Sequence, residues 1–217
     1  MNDQAEVALP PPPIRAPAML PRFRIAILDA FHIVLDMQDD RYLAVARDAG
    51  ACGLADEGAL LAETLAASSA DIGFAASLHP RFQMPRRDLG VDLGEHPALV
   101  DWAALLAALP LSLFQLRIAP PSAWFRGDAS APLRPIGELV AAARRFRSMR
   151  PYVPGVRRCL PRSLLLLSYL RVLGLDARLV IGVRLFPFDA HSWVQAGDVV
   201  LTDDLEQLSG YAPIVVG

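Results

Sequence analysis

Hydrophobic positions change their spacing along this chain, and each change marks a predicted element. Near the N-terminus, side chains that favour strands alternate or cluster in three short runs separated by polar residues. These runs are Arg22 to Leu28, Phe31 to Asp36 and Arg41 to Val45, with a turn at Gln38-Asp39-Asp40 before the last. The pattern predicts a meander of three strands. Helical spacing follows at Asp56 to Ala67 and at Pro97 to Leu109.

Further along the chain, the spacing predicts two helices in succession. The first carries its apolar residues on one face, which we expect to pack on the core: Ile136, Leu139, Val140, Ala143 and Phe146. The second follows Cys159 and is so rich in leucine that it reads as a buried helix. Its apolar positions are Leu164 to Leu167, Tyr169, Leu170 and Leu173, and Gly174 is expected to end it.

Two strand-like segments come after the leucine-rich helix. The first is Ala177 to Leu185, and Phe186-Pro187-Phe188 breaks the pattern after it. The second carries His191, Trp193 and Val194, and the chain then turns at Ala196-Gly197-Asp198. We therefore expect a hairpin around Gly197.

The candidate chemistry lies on these last elements. Cys159 stands at a predicted helix start, where the positive end of the helix dipole favours thiolate. A hairpin centred on Gly197 places Asp203 directly opposite His191, close enough to hold the imidazole, and points Asp204 to the other face. A one-residue bulge would exchange the two aspartates. The set Cys159, His191 and Asp203 has the nucleophile, base and orienting acid of a catalytic triad. The alternative is a small buried cysteine and a packed histidine.

The segment from about Pro135 to Gly217 resembles the B proteins of lasso-peptide biosynthesis, which are transglutaminase-like leader peptidases. The resemblance rests on three ordered motifs: Cys159 to Leu164, Gly174 to Arg184 and Pro187 to Val194. It implies that Cys159, His191 and Asp203 are catalytic, and that an asparagine-synthetase-like cyclase is a partner. Gln195 stands where the family usually has an acidic residue, and we expect it at the surface of a strand.

The N-terminal meander is similar to a precursor recognition element, a winged-helix domain resembling the pyrroloquinoline-quinone peptide chaperone. The matching segment runs from Ile33 to Val45. The third strand is expected to be an edge that takes up a leader peptide as a further strand. Its residues are Arg41, Tyr42, Leu43, Ala44 and Val45. The alternative is an ordinary edge protected by Asp39, Asp40 and Arg41.

The patterns predict an α+β protein, and the two resemblances imply a winged-helix-like peptide-recognition half and a papain/transglutaminase-like half. The expected divisions are a disordered proline-rich arm at 1–21, a recognition domain at 22–126, a linker at 127–134 and a cysteine protease domain at 135–217. The sequence between Pro80 and Gly94 has no clear place in this scheme.

Composition narrows the classes of function. All 21 basic residues are Arg, and with a net charge of −2 the chain is not a nucleic-acid-binding polycation. Seven of these arginines crowd the approach to the cysteine. They form either a solvated helix face or a group of which some members attract an acidic substrate segment or support the thiolate: Arg144, Arg145, Arg147, Arg150, Arg157, Arg158 and Arg162. Two cysteines are too few for a disulfide framework, so a reducing cytoplasm is expected.

Other classes find no support in the sequence. No metal motif is present, and we expect no cofactor. No secretory signal and no segment apolar enough for a membrane span is expected, because Arg171, Asp176 and Arg178 interrupt the richest run. The function predicted is a cysteine endopeptidase that binds and removes the leader of a ribosomally made precursor. The alternatives are an acyltransferase with the same triad and a non-catalytic leader-binding chaperone.

Overall fold

A computed structural model describes residues 23–28, 31–37, 41–46, 82–90, 96–125 and 134–217. Within these ranges the protein is a mixed helix and sheet structure. The strands are β1 Phe23–Leu28, β2 Phe31–Asp36, β3 Arg41–Ala46, β4 Arg178–Arg184, β5 Asp189–Ala196, β6 Val199–Val200 and β7 Ala212–Val216. The α-helices are α1 Leu99–Arg117, α2 Pro121–Trp124, α3 Ile136–Met149 and α4 Cys159–Val172. Short 3₁₀ helices span Arg150–Tyr152 and Leu205–Leu208.

Several predicted features lie outside the described residues. These are the arm at 1–21, the turn at 38–40, Cys52, the helical pattern from Asp56 to Ala67, and the linker up to residue 133.

The predicted meander is confirmed as an antiparallel sheet in the order β1-β2-β3. The central strand is buried at Ile33, Val34 and Leu35. Among the described strands, β3 pairs with β2 alone and so lies at an edge of this sheet. The side chain of Leu43 on β3 is exposed.

The second sheet has the strand order β6-β5-β4-β7 and carries the predicted hairpin. Strands β4 and β5 are antiparallel, with Gly182 opposite His191. Successive residues of β4 and β5 point to opposite faces of the sheet, and residues on both faces are buried. This is expected for a sheet that is covered on both sides. Leu179 and Val194 belong to the main core, whereas Val180 and Trp193 pack in a smaller cluster with Tyr211.

Helix α4 is the centre of the main core. Every residue from Ser163 to Leu170 is buried, which explains why the sequence has no polar face in this region. Gly174 follows the helix with a φ of 70°, a conformation that glycine adopts without strain. The predicted start and end of this helix are confirmed. Helix α3 packs on it through Phe146, whose ring centroid lies 5.6 Å from that of Tyr169.

The predicted face of α3 is partly wrong. Leu139, Ala143 and Phe146 are buried as expected, but Ile136 is exposed. The buried stripe instead includes Ala142 and Met149.

Helix α1 corrects the expected domain division, which assigned this region to the recognition half. Asp101 on α1 is buried and accepts hydrogen bonds from Tyr169 Oη at 2.7 Å and from Arg145 Nε at 2.9 Å. These contacts tie α1 to α4 and α3. The helix therefore belongs to the same core as Cys159.

The expectation that no segment is apolar enough for a membrane span does not hold for α1. By length and composition alone this helix could cross a membrane, with a mean hydropathy of 1.7. One face packs on α4, while Leu99, Leu106, Leu113 and Phe114 are exposed.

The segment 82–90, which the sequence pattern left without a place, runs along the hairpin that carries His191. The backbone N–H groups of Arg86 and Arg87 donate to the carbonyl of Asp198 at 2.8 and 3.1 Å, and Val200 N–H donates to Arg87 at 2.8 Å. Gln195 is buried rather than at the surface, because its amide donates to Gln83 at 2.9 Å and accepts from Trp193 Nε1 at 2.8 Å. This strap fixes the outer side of the hairpin.

Candidate active site

Cys159 is the first residue of α4, as predicted. Its thiol is hydrogen-bonded to the imidazole of His191 and to the backbone N–H and hydroxyl of Ser192. The hydrogen bond with His191 outweighs the opposite effect of burial and lowers the pKa of the Cys159 thiol from 9.0 to about 7. The sulfur is thus poised to ionise near neutral pH.

His191 lies between the thiol and a buried carboxylate. Its Nε2 is 3.3 Å from Oδ2 of Asp203, which leaves Nδ1 for the thiol. Burial alone would lower the pKa of His191, but the hydrogen bonds to Asp203 and Cys159 raise it to about 9. Between these two pKa values the pair is a thiolate and an imidazolium.

The structure corrects the route by which Asp203 reaches His191. In the hairpin, Gln195 pairs with Val200 and Ala196 with Val199, so the turn is Gly197-Asp198 and the predicted register is off by one residue. This register, continued along the strand, would place Asp204 opposite His191. The strand ends at Val200 instead, and the chain bends over residues 201–203.

Two hydrogen bonds hold that bend. The N–H of Val194 donates to the hydroxyl of Thr202 at 3.1 Å, where a continued strand would offer a backbone carbonyl. The N–H of Leu205 donates to Oδ2 of Asp88 on the strap at 3.0 Å. Asp203 is turned inwards between these two anchors. Asp204 is exposed and contacts Arg147 at 3.5 Å.

The second oxygen of Asp203, Oδ1, accepts a hydrogen bond from Nη2 of Arg162. Burial acts to raise the pKa of Asp203, but the hydrogen bond from His191 and the positive charge of Arg162 prevail and lower it. Asp203 is therefore ionised at neutral pH. From the sequence, Arg162 was one of seven arginines expected to form a solvated face, to attract an acidic substrate or to support the thiolate. In the structure its side chain is largely buried and binds Asp203.

Tyr211, which directly precedes β7, packs beside the ring of His191. The two ring centroids are 5.4 Å apart, and the Arg184 guanidinium carbon lies 4.9 Å above the Tyr211 ring. The phenol donates to the carboxylate of Asp189, which also contacts Arg184 at 3.3 Å. These residues form one wall of the site.

Sequence reasoning missed Ser192 and Tyr211, and it named Arg162 among seven arginines without its link to Asp203. A signal existed for Ser192, which adjoins His191, and for Arg162, which is one helical turn after Cys159. Tyr211 carried no local signal, since β7 reaches the site only by pairing with β4.

The candidate leader-binding residues lie on β3, from Arg41 to Val45. Arg41, Leu43 and Ala44 are exposed. The rings of Tyr42 and Phe188 are in edge-to-face contact, with centroids 5.6 Å apart. Phe31 on β2 makes a similar contact with Phe186 at 6.2 Å. The meander therefore touches the turn that leads directly into the strand of His191.

Among the described residues, no group of three or more His, Cys, Asp or Glu side chains could hold a metal ion.

A family model described as the transglutaminase-like superfamily matches residues 99–216. The chain belongs to this superfamily. The superfamily includes cysteine proteases, and a domain of this kind is consistent with cysteine protease or acyltransferase activity. The match begins at Leu99, so α1 lies inside the family domain. No curated protein and no solved structure gives a significant match.

Proposed function

We propose that this protein is a cysteine endopeptidase that removes the leader from a ribosomally made precursor peptide of the lasso-peptide type. The observation that carries the proposal is the hydrogen-bonded series from Cys159 to His191 to Asp203, with a thiol whose pKa is lowered to about 7. A buried structural cysteine has its pKa raised by its apolar surroundings. The hydrogen bond from the imidazole lowers the pKa of this thiol, which favours a nucleophilic over a structural role for Cys159.

In the proposed mechanism the thiolate of Cys159 attacks the scissile carbonyl carbon. The carbonyl π electrons move to oxygen, and the proposal assigns the N–H of Cys159, in the first turn of α4, as one donor to that oxyanion. His191 then gives its proton to the leaving amine, and the C–N bond breaks to leave a thioester on Cys159. His191 takes a proton from water, whose oxygen attacks the thioester carbon. The C–S bond breaks, the leader leaves as its carboxylate, and the thiolate–imidazolium pair is restored.

Asp203 accepts a hydrogen bond from Nε2–H of His191 throughout this cycle. The bond fixes the tautomer in which Nδ1 faces the sulfur, and the carboxylate charge stabilises the imidazolium. Only 1% of the Asp203 side chain is exposed, so water does not compete for this hydrogen bond.

Leader recognition is assigned in this proposal to β3. An edge strand with exposed side chains can pair with an extended peptide, because main-chain hydrogen bonds supply affinity without a fixed sequence. The contact of Tyr42 with Phe188 gives a peptide on β3 a short route towards Cys159. The proposed setting is the cytoplasm, with an asparagine-synthetase-like cyclase that uses the amine freed by cleavage.

Hydrolysis and acyl transfer differ in what attacks the thioester, so one experiment separates them. The protein is mixed with a precursor peptide encoded beside its gene, in ¹⁸O-labelled water containing a small primary amine. Mass spectrometry of the leader fragment reports the acceptor. The proposal predicts a free carboxylate carrying ¹⁸O. A leader fragment joined to the amine would instead assign the protein as an acyltransferase, and an intact but bound peptide would indicate a chaperone.

A further inference from the structure

We propose that Arg162 is a positioning residue of this site, which holds Asp203 against His191 and thereby keeps the thiolate of Cys159 stable. The role of Arg162 in a peptidase rests on the proposed function. The effect of Arg162 on the reactivity of the Cys159 thiol is independent of that function, so it can be tested without a peptide.

The first argument is the helical spacing. Cys159 and Arg162 are three residues apart at the start of α4, and residues at this spacing lie on the same face of a helix. The site therefore contains a series of three contacts: the thiol with His191, His191 with Asp203, and Asp203 with Arg162. The first and last residues of the series, Cys159 and Arg162, are on the same helix.

The second argument is burial. Only 16% of the Arg162 side chain and 1% of the Asp203 side chain are exposed. A buried carboxylate without a counter-charge loses its proton less readily, and its side chain can adopt other conformations. Arg162 supplies that charge, and its planar guanidinium fixes the direction from which Oδ1 is held. Oδ2 is then left pointing at His191.

The neighbouring ion pair provides a matched contrast. Arg147 and Asp204 form an ion pair close to that of Arg162 and Asp203. Asp204 is the residue that follows Asp203 in the chain. Arg147 and Asp204 lie 3.5 Å apart, and their side chains are 42% and 52% exposed. An exposed pair of this kind contributes little to stability or geometry. Any effect that is general to arginines in this region should appear at Arg147 as well.

Other charged groups lie near the pair. Arg147 and Arg150 line the same small cavity as Arg162. Tyr211, Asp189 and Arg184 form their own cluster beside His191. None of them contacts Arg162 among the hydrogen bonds and ion pairs of the described residues. A substitution of Arg162 therefore acts on the thiol through Asp203 and His191.

The test is the pH dependence of alkylation of Cys159 by iodoacetamide, followed by intact mass. For Arg162→Met we expect the apparent pKa of the thiol to rise by about one unit, because both the positive charge and the alignment of Asp203 are lost. Arg162→Lys keeps the charge and should recover part of the shift. The profile of Arg147→Met should superimpose on that of the wild type. A folded Arg162→Met protein with the wild-type profile would overturn the proposal.

A double-mutant cycle separates positioning from general support of the fold. In an Asp203→Asn background, Arg162→Met should cause no further shift, because the carboxylate through which it acts is gone. Equal shifts in both backgrounds would show that Arg162 acts independently of Asp203 and would contradict the proposal. If Arg162→Met alone does not fold, the same cycle is measured with Arg162→Lys. Circular dichroism of each variant establishes that the fold is intact.

Discussion

The Nε2 atom of His191 lies 3.3 Å from Oδ2 of Asp203, although the two residues are not partners in the hairpin register. They meet because the strand ends at Val200 and a bend turns Asp203 inwards. The hydroxyl of Thr202 and the carboxylate of Asp88 hold this bend. The carboxylate that contacts His191 is thus supplied by a loop that is anchored on both sides.

Asp203→Asn tests the assignment of the orienting acid. An amide can donate to Nε2 and so favour the tautomer in which the proton is on the wrong nitrogen, which should lower kcat by roughly three to four orders of magnitude. Asp204→Asn is the matched control and should have little effect, since its side chain is exposed and contacts only Arg147 among the described ion pairs. Steady-state cleavage kinetics measure both. A severe loss in Asp204→Asn alone would reverse the assignment.

The pH dependence of thiol reactivity follows from the two shifted pKa values. Because the pKa of Cys159 is lowered to about 7, alkylation by iodoacetamide should rise through an apparent pKa near 7 rather than 9.0. At pH 7 about half of the thiol should therefore be ionised. His191→Ala removes the main cause of the shift, and its profile should move up towards pH 9. An unshifted wild-type profile would show that the thiol and imidazole are not coupled.

Gly182 tests the packing behind His191. A Cβ at this position would lie 2.6 Å from Cζ3 of Trp193, whose ring is buried and held by Gln195. Gly182→Ala should therefore lower the free energy of unfolding by about 1–3 kcal/mol. Gly137 on α3 is the control, because a Cβ there meets nothing within 4 Å. Gly137→Ala should leave stability unchanged or raise it by up to about 1 kcal/mol. Urea denaturation compares the two, and equal stabilities would contradict the packing argument.

The role of β3 is tested by proline substitutions at neighbouring positions, Leu43→Pro and Ala44→Pro. Successive N–H groups of an edge strand point alternately towards β2 and outwards. One substitution therefore disturbs the pairing with β2, and the other removes an outward donor with less effect on the sheet. The outward variant should bind a labelled leader much more weakly while Cys159 is alkylated at the wild-type rate. Fluorescence anisotropy measures binding. Unchanged affinity in both folded variants would exclude β3 as the docking strand.

Local patterns predicted much of this fold. The three strands of the meander, the buried helix that begins at Cys159 and the strands flanking Phe186 follow from spacing and turn residues alone. The type and position of each of these elements follow from the residues within it. Cys159 and His191 could therefore be placed on the correct elements.

The features that sequence missed depend on distant contacts. Gln195, which stands where the resembling family usually has an acidic residue, was expected at the surface of a strand, but its amide donates to Gln83 on the strap at 82–90. The hairpin register was wrong by one residue, and the bend after Val200 is held by Asp88 from far along the chain. Helix α1 was assigned to the recognition half, since a sequence pattern does not reveal that Asp101 binds Tyr169 and Arg145.

The most direct test of the account is cleavage of a precursor peptide encoded beside the gene, followed by mass spectrometry. The wild type should convert the peptide into two fragments whose masses sum to the peptide plus one water. Cys159→Ala should yield no fragments while it remains folded and still binds the leader, because a small side chain replaces the nucleophile with little change in packing. Cleavage by Cys159→Ala at the wild-type rate, or an intact peptide after incubation with alkylation-competent wild type, would contradict the proposed cysteine peptidase.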